Sequence, residues 1–169
     1  EARPCFLCAT NRPQEQLQYS YHNTYDILVN PFPIFPEHFT VPHKQHIPQQ
    51  IRPFFGDMLN LACDFPSYVV FYNGPACGAS APDHLHFQMG NKGFLPIEKE
   101  YDTLPKKPVN SFSYLQYQSI ETDFYHAIVI ESDTKQEVEK RFSFLYKQLQ
   151  KTSAEPMMNV VCWHTGTNF

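Results

Sequence analysis

The chain has 169 residues, with 13 Lys and Arg against 17 Asp and Glu, which gives a formal net charge of −4. A chain of this length with 42% hydrophobic residues can bury one domain core. The mild acidity gives no reason to expect a nucleic-acid partner, and the lack of an 18-residue apolar run argues against a membrane partner. Five cysteines with no visible secretory signal favour reduced thiols in a cytoplasmic protein.

The N-terminal half is predicted to alternate short strands with proline-rich connections. Residues 1–22 are polar and turn-rich. The run from Asn30 to Pro36 contains three prolines, which exclude a helix there. Apolar residues at helical spacing predict a helix over 48–64, with Pro53 in its first turn. Strands are predicted at 24–30, 38–42, 67–73 and 84–89.

The C-terminal half is predicted to add strands and a second helix. In chain order we expect a loop over 90–110, strands over 111–118 and 123–131, a helix over 134–151 capped by Asp133, and a strand over 157–163. Together the elements predict an α+β fold, in which one or two helices pack on an antiparallel sheet.

The stretch His84-Leu-His-Phe-Gln88 carries the clearest chemical signal. Because side chains alternate along a strand, His84, His86 and Gln88 share one face, and the intervening apolar residues face the core. A neutral imidazole is nucleophilic near pH 7 and forms covalent intermediates on phosphorus. An amide donates to phosphoryl oxygens without titrating. The pattern favours attack on a phosphoryl group over its alternative, a polar strip on a half-exposed strand.

These residues resemble the histidine-triad (HIT) superfamily, and within it the transferase and phosphorylase branch, whose pattern ends in Gln instead of a third His. That branch includes galactose-1-phosphate uridylyltransferase, diadenosine tetraphosphate phosphorylase and GDP-hexose phosphorylase. The resemblance implies that His86 is the catalytic nucleophile and that Gln88 contacts the bound phosphate. It extends over residues 5–99 and implies a HIT-like antiparallel β-sheet with packed helices.

The resemblance also implies a division of the chain. Residues 1–110 are expected to form the HIT-like nucleotide-binding domain. Residues 111–169 are expected to continue it with strands and one helix, or to begin a truncated second half, because the resemblance weakens after residue 100.

A loop of small residues precedes the motif. Gly78, Ala79 and Ser80 leave room for a ligand to approach the backbone closely. We expect these three residues, together with Asn73 and His84, to bind the nucleotide or its phosphates. The spacing from Ser80 to His84 is four residues, where the uridylyltransferases have three.

Cys5-x-x-Cys8 has the ligand spacing of a zinc site. Two thiolates need two further ligands, for which His43, His46 and His84 are candidates. In uridylyltransferases and zinc-containing histidine-triad proteins, such a pair joins a His after the second hairpin strand and the first His of the motif. The resemblance therefore implies structural zinc on Cys5, Cys8, His46 and His84. The alternative is an unliganded, partly buried cysteine pair.

The favoured function is nucleotidyl transfer or phosphorolysis. His86 would attack the α-phosphorus of a nucleoside diphosphate sugar or a dinucleoside polyphosphate, and phosphate or a sugar phosphate would accept the nucleotidyl group. Because Gln88 replaces a histidine that could act as general acid, transfer is favoured over hydrolysis. The alternatives are a non-enzymatic, zinc-stabilised nucleotide sensor and a nucleotide hydrolase. The sequence leaves the base, the sugar, the acceptor and the oligomeric state open.

Overall fold

The computed structural model describes residues 4–109, 117–150 and 154–169. Over these residues the chain forms two antiparallel sheets and three α-helices. The strands are β1 (Gln18–Tyr21), β2 (Tyr25–Val29), β3 (His38–Pro42), β4 (Tyr68–Asn73), β5 (His86–Asn91), β6 (Lys106–Pro108), β7 (Gln118–Glu121), β8 (His126–Val129) and β9 (Asn159–Cys162). The helices are α1 (Phe55–Asp64), α2 (Pro96–Glu100) and α3 (Lys135–Leu149).

The larger sheet has the strand order β1-β2-β3-β5-β4-β9 and places the histidine motif near its centre. Strand β3 pairs with residues 86–90 of β5, whereas β4 pairs only with residues 88–91. Strand β9 pairs with β4 at the far edge, so the C-terminal segment belongs to the same sheet as the motif. The smaller sheet has the order β6-β7-β8. The division at residue 110 stays a prediction.

One face of the larger sheet is covered by α1 and α3, whose Phe55 and Phe142 rings stack with centroids 3.7 Å apart. The sheet contributes aromatic and aliphatic residues to this core, including Tyr25, Val41, Val70, Tyr72, Leu85, Phe87 and Met89. Burial of one such side chain stabilises the fold by about 1.5–3 kcal/mol. The apolar residues of the motif are buried in this core as predicted, but β5 begins at His86, so His84 and Leu85 lie before the strand rather than on it.

Most predicted elements lie within a few residues of the observed ones. The helix predicted from residue 48 begins only at Phe55, after a 3₁₀ turn over Arg52–Phe54 that contains Pro53. The loop predicted over 90–110 is wrong in part. This segment contains α2, which begins at Pro96, a residue that fits the first turn of a helix. It also contains β6, which exists because β7 is available to pair with it. The strand predicted over 111–118 falls almost wholly on residues 110–116, outside the described part of the chain.

Strand β1 lies in a segment that we expected to be turns. It pairs with β2 across a tight turn in which His22 and Asn23 both have left-handed backbones, with φ of 47° and 56°. Consecutive left-handed residues give the turn the twist that a hairpin needs. A second small difference is at α3, where Thr134 and not Asp133 occupies the N-cap, without a side-chain capping bond. None of the helices in the described segments is long and apolar enough to cross a membrane.

Candidate active site and metal centre

His86 opens β5, and its ring is buried, with 1% of the residue exposed. Its Nδ1 lies 2.8 Å from the carbonyl oxygen of His84. Because a carbonyl only accepts hydrogen bonds, the ring proton lies on Nδ1 and Nε2 carries a lone pair. Burial lowers the pKa of His86 below its ordinary value, which keeps the ring neutral. The nitrogen available for chemistry is therefore Nε2.

The Nε2 atom of His86 is buried and has no hydrogen-bond partner within residues 4–109, 117–150 and 154–169. A buried polar atom left without a partner costs about 1–3 kcal/mol. Such atoms are rare in folded proteins, and each calls for an explanation. The lone pair of His86 is thus not used by any described protein group and is available to a ligand.

Gln88 lies on the same face of β5 and is held by His38. The His38 Nε2 is 2.8 Å from the Gln88 Oε1, and the His38 Nδ1 accepts from the backbone N–H of Ile34 at 3.3 Å. The ring proton of His38 therefore lies on Nε2 and is donated to Gln88. With its oxygen occupied, Gln88 has its NH₂ group left to donate to a ligand. Burial lowers the pKa of His38, so this ring also stays neutral.

The predicted phosphate-binding residues lie at the end of β4 and in the loop that follows it. Asn73 is the last residue of β4. Gly78 adopts a left-handed backbone with φ of 93°, in open space. Ser80 is exposed, and in the described part of the chain its hydroxyl has no hydrogen-bond partner. With Ala79, which is half-buried, these residues are available to a ligand, and their phosphate-binding role stays a prediction.

The predicted metal ligands lie together. One ligand atom from each of Cys5, Cys8, His46 and His84 falls within 4.8 Å of the other three. The Nδ1 of His84 is 3.2 Å from the Cys5 sulfur and 3.7 Å from the Cys8 sulfur, and the Nδ1 of His46 is 3.3 Å from the Cys8 sulfur. Tetrahedral zinc with ordinary bond lengths separates sulfur from nitrogen by about 3.5 Å. The four residues could hold a metal ion.

The surroundings of both histidines fit metal binding. The His84 Nε2 donates to the carbonyl oxygen of His43 at 2.7 Å, which leaves Nδ1 free as a ligand atom. The His46 Nε2 lies 3.4 Å from a carboxylate oxygen of Asp83, which favours a proton on that nitrogen. Oxygen partners of this kind orient metal-bound histidines. The ring of His43 does not lie among the four clustered residues; its Nδ1 is 3.0 Å from the backbone nitrogen of Gln45 and 3.1 Å from the carbonyl oxygen of the same residue.

Two contacts connect the cysteine segment to the sheet and to His86. Arg12 donates to the carbonyl oxygen of Leu7 and, at 2.7 Å, to the carboxylate of Asp26 on β2. On the other side, His84 belongs to the cluster through its ring and accepts the Nδ1 proton of His86 through its carbonyl. The residue that could bind metal therefore also sets the tautomer of His86.

Sequence reasoning identified the four cluster residues but left His38 out of the site. His38 and Gln88 are separated by 50 positions in the chain, and only the pairing of β3 with β5 brings them together. The available signal was the position of a histidine at the start of the strand that returns towards the motif.

Comparison with known proteins agrees with this architecture. Residues 1–91 match the family described as a domain of unknown function, DUF4922. No curated protein sequence matches the chain. Among solved structures, the crystal structure of yeast Ap4A phosphorylase Apa2 in complex with AMP is similar, with a TM-score of 0.51 and 20% sequence identity. The match covers 82% of this chain and 53% of that one, so the chain spans about half the length of the yeast protein. The α+β, HIT-like fold predicted from the sequence is confirmed.

Proposed function

The chain belongs to the DUF4922 family, whose description assigns no reaction, and from the site it carries we propose that it is a nucleotidyltransferase or phosphorylase with His86 as nucleophile. The observation that supports this most is the buried, unprotonated and unpartnered Nε2 of His86. The similar fold of a phosphorylase in complex with AMP supports a nucleotide as the substrate.

In the first step Nε2 of His86 attacks the α-phosphorus of a nucleoside diphosphate sugar or a dinucleoside polyphosphate. The N–P bond forms as the bond from phosphorus to the bridging oxygen breaks, and the electron pair leaves with the sugar phosphate or nucleotide. The imidazole becomes positively charged, and its Nδ1–H remains on the carbonyl of His84. In the second step an oxygen of phosphate or a sugar phosphate attacks phosphorus, and the N–P bond returns its electrons to Nε2.

The amide of Gln88 supplies charge stabilisation in both steps. Because His38 occupies its oxygen, the NH₂ group is the end available to the nonbridging oxygens on which charge develops. An amide cannot donate a proton to a leaving group, which favours leaving groups that are stable as anions. Ser80 and the backbone around Gly78 are proposed to hold the remaining phosphoryl oxygens, and Asn73 the ribose or a phosphate.

We propose that the metal of the cluster is zinc, since two thiolates and two imidazoles form one of its usual structural donor sets. A zinc ion there would crosslink the N-terminal segment to the start of β5. Protein purified without chelator should contain about one zinc per chain, and Cys5→Ser should lose it and melt at a lower temperature. Cys77→Ser, outside the cluster, is the matched control. Protein without metal that melts alike with and without Cys5→Ser would refute the zinc site.

The reaction is tested with donors radiolabelled at the α-phosphorus, incubated alone, with inorganic phosphate or with a sugar phosphate. A phosphorylase gives labelled nucleoside diphosphate only when phosphate is added, and a transferase gives a labelled nucleoside diphosphate sugar only when a sugar phosphate is added. A hydrolase gives labelled nucleoside monophosphate in either case, and a sensor binds the donor without turnover. His86→Ala should abolish product formation, whereas His126→Ala, at an exposed position on β8, should not change it. Turnover that survives in His86→Ala would exclude the mechanism.

A further inference from the structure

The side chain of Gln49 lies where β4 and β5 separate, and it is buried, with 1% of the residue exposed. Direct backbone pairing between these strands ends at Phe71 and Gln88. Beyond that point the Gln49 Oε1 accepts from the backbone N–H of His86 at 2.8 Å. Its Nε2 donates to the carbonyl oxygens of Asn73 at 3.0 Å and of His86 at 3.2 Å. The side-chain amide of Gln49 thus takes the place of backbone hydrogen bonds between β4 and β5 next to the proposed nucleophile, His86.

The backbone of Gln49 is itself held from the C-terminal part of the chain. Its carbonyl oxygen lies 3.0 Å from the hydroxyl of Tyr72, which is also 2.8 Å from the Glu155 carboxylate. Glu155 is buried and accepts in addition from the backbone N–H of Ile51 at 3.2 Å and from the hydroxyl of Tyr146 at 2.6 Å. The Tyr72 hydroxyl, whose single proton faces two acceptors, therefore lies between Glu155 and the backbone of Gln49, and the side chain of Gln49 continues the contact to His86.

We propose that Gln49 is a positioning residue for His86 and that Glu155, through Tyr72, holds Gln49 in place. Both backbone polar groups of His86 are fixed by this one amide, so the direction of its ring depends on it. A displacement of about 1 Å at a reacting group costs on the order of 10²-fold in rate. The kinetic part of this inference rests on the proposed function, whereas the hydrogen bonds on which it depends do not.

The first test compares Gln49→Met with Gln50→Met. Met has a similar size and cannot make the amide's bonds, and the side chain of Gln50 makes no hydrogen bond to any residue the structure describes. At saturating nucleotide donor, the single-turnover rate of His86 modification should fall about 10²-fold in Gln49→Met, while the donor Kd stays within about twofold. Gln50→Met should match the wild type. A purely structural role would leave the rate per folded molecule unchanged.

A second pair of variants covers the case in which Gln49→Met does not fold. Tyr72→Phe removes only the hydroxyl between Gln49 and Glu155, and its expected rate loss is smaller, about three- to tenfold. Tyr68→Phe is the control, because it lies on the same strand and its hydroxyl binds Glu37. Equal rates in Tyr72→Phe and Tyr68→Phe would overturn the role of the Glu155 connection.

Amide hydrogen exchange gives a readout that needs no turnover. The His86 N–H should be protected in the wild type and in Gln50→Met, and should exchange at least about tenfold faster in Gln49→Met. Equal protection of this amide in Gln49→Met, or an unchanged rate of modification, would overturn the inference and leave the proposed function intact. A wild-type protein that binds donor but forms no adduct would instead contradict the proposed function, and the exchange result would then decide on Gln49.

Discussion

The two faces of β5 are held in different ways. On the helix side, Phe87 and its apolar neighbours are fixed by packing, so that any side chain of matching volume and shape can serve. On the opposite face, His86 and Gln88 are fixed by hydrogen bonds between specific atoms. One strand therefore carries two separable properties: substitutions on the first face should act on the stability of the protein, and substitutions on the second should act on its chemistry.

The largest effect on stability is expected at Phe87. Phe87→Ala should lower the free energy of unfolding by about 3–5 kcal/mol, because it leaves a cavity in the core beneath the sheet. Denaturant unfolding measures this loss. Phe32→Ala is the matched control, since Phe32 is 85% exposed and its truncation should leave stability nearly unchanged. A similar loss in both variants would show that the helix side is not the main source of stability.

The next effect concerns the rate of reaction. Gln88→Ala should slow nucleotidyl transfer by about 10²- to 10³-fold, the usual cost of removing a donor to a developing oxyanion. Its unfolding free energy should change much less than that of Phe87→Ala. Gln45→Ala, at an exposed position after β3, is the control for the same substitution. If Gln88→Ala turns over at the wild-type rate, its amide has only a structural role.

A smaller effect is expected at the metal cluster. Asp83→Ala should weaken zinc binding by about 10- to 100-fold, because it removes the carboxylate beside the Nε2 of His46. Competition with a chromophoric chelator measures the affinity. Asp133→Ala, next to α3 and remote from the cluster, should bind zinc as the wild type does. If the two variants bind zinc with the same affinity, Asp83 does not contribute to the metal centre.

The smallest effect is a dependence of stability on pH. Burial lowers the pKa of His38 in the folded state, so the unfolded chain takes up the proton first as the pH falls. The stability that neutral His38 provides is present above about pH 6.5 and is lost below it, by at most about 1.4 kcal/mol per pH unit. Urea unfolding of His38→Gln should show a shallower loss than the wild type between about pH 6.5 and 5. The control His126→Gln should lose stability with falling pH as the wild type does. If His38→Gln loses stability as steeply as the wild type, the lowered pKa of His38 is contradicted.

The features that could be predicted from the sequence are those that depend on residues close together in the chain. The alternation of His86 and Phe87 follows from the two-residue period of a strand. The spacing of Cys5 and Cys8 indicates a pair of metal ligands. His38 and Gln49 were missed for a common reason. Their partners lie 50 and 37 positions away, and nothing in the neighbouring residues specifies which strands will meet.

Strand β1 was missed for a different reason. Its tyrosines alternate with polar residues, as in a strand, but only over four positions, and its hairpin turn contains no glycine to mark the end of the strand. The pairing with β2 supplies the stabilisation that the local sequence does not. The features that the sequence did not predict are thus mainly those formed by contacts between residues far apart in the chain.

The central claim is that Nε2 of His86 attacks the α-phosphorus of a nucleotide. It is tested most directly by mixing the wild-type protein with a dinucleoside polyphosphate or a nucleoside diphosphate sugar in the absence of acceptor. After an alkaline quench, which preserves a phosphorus–nitrogen bond, tandem mass spectrometry should place one nucleoside monophosphate group on His86. Added phosphate should remove the group as nucleoside diphosphate, or an added sugar phosphate should remove it as a nucleoside diphosphate sugar. A bound and consumed donor without any modification of His86, or with the group on another residue, would contradict the account.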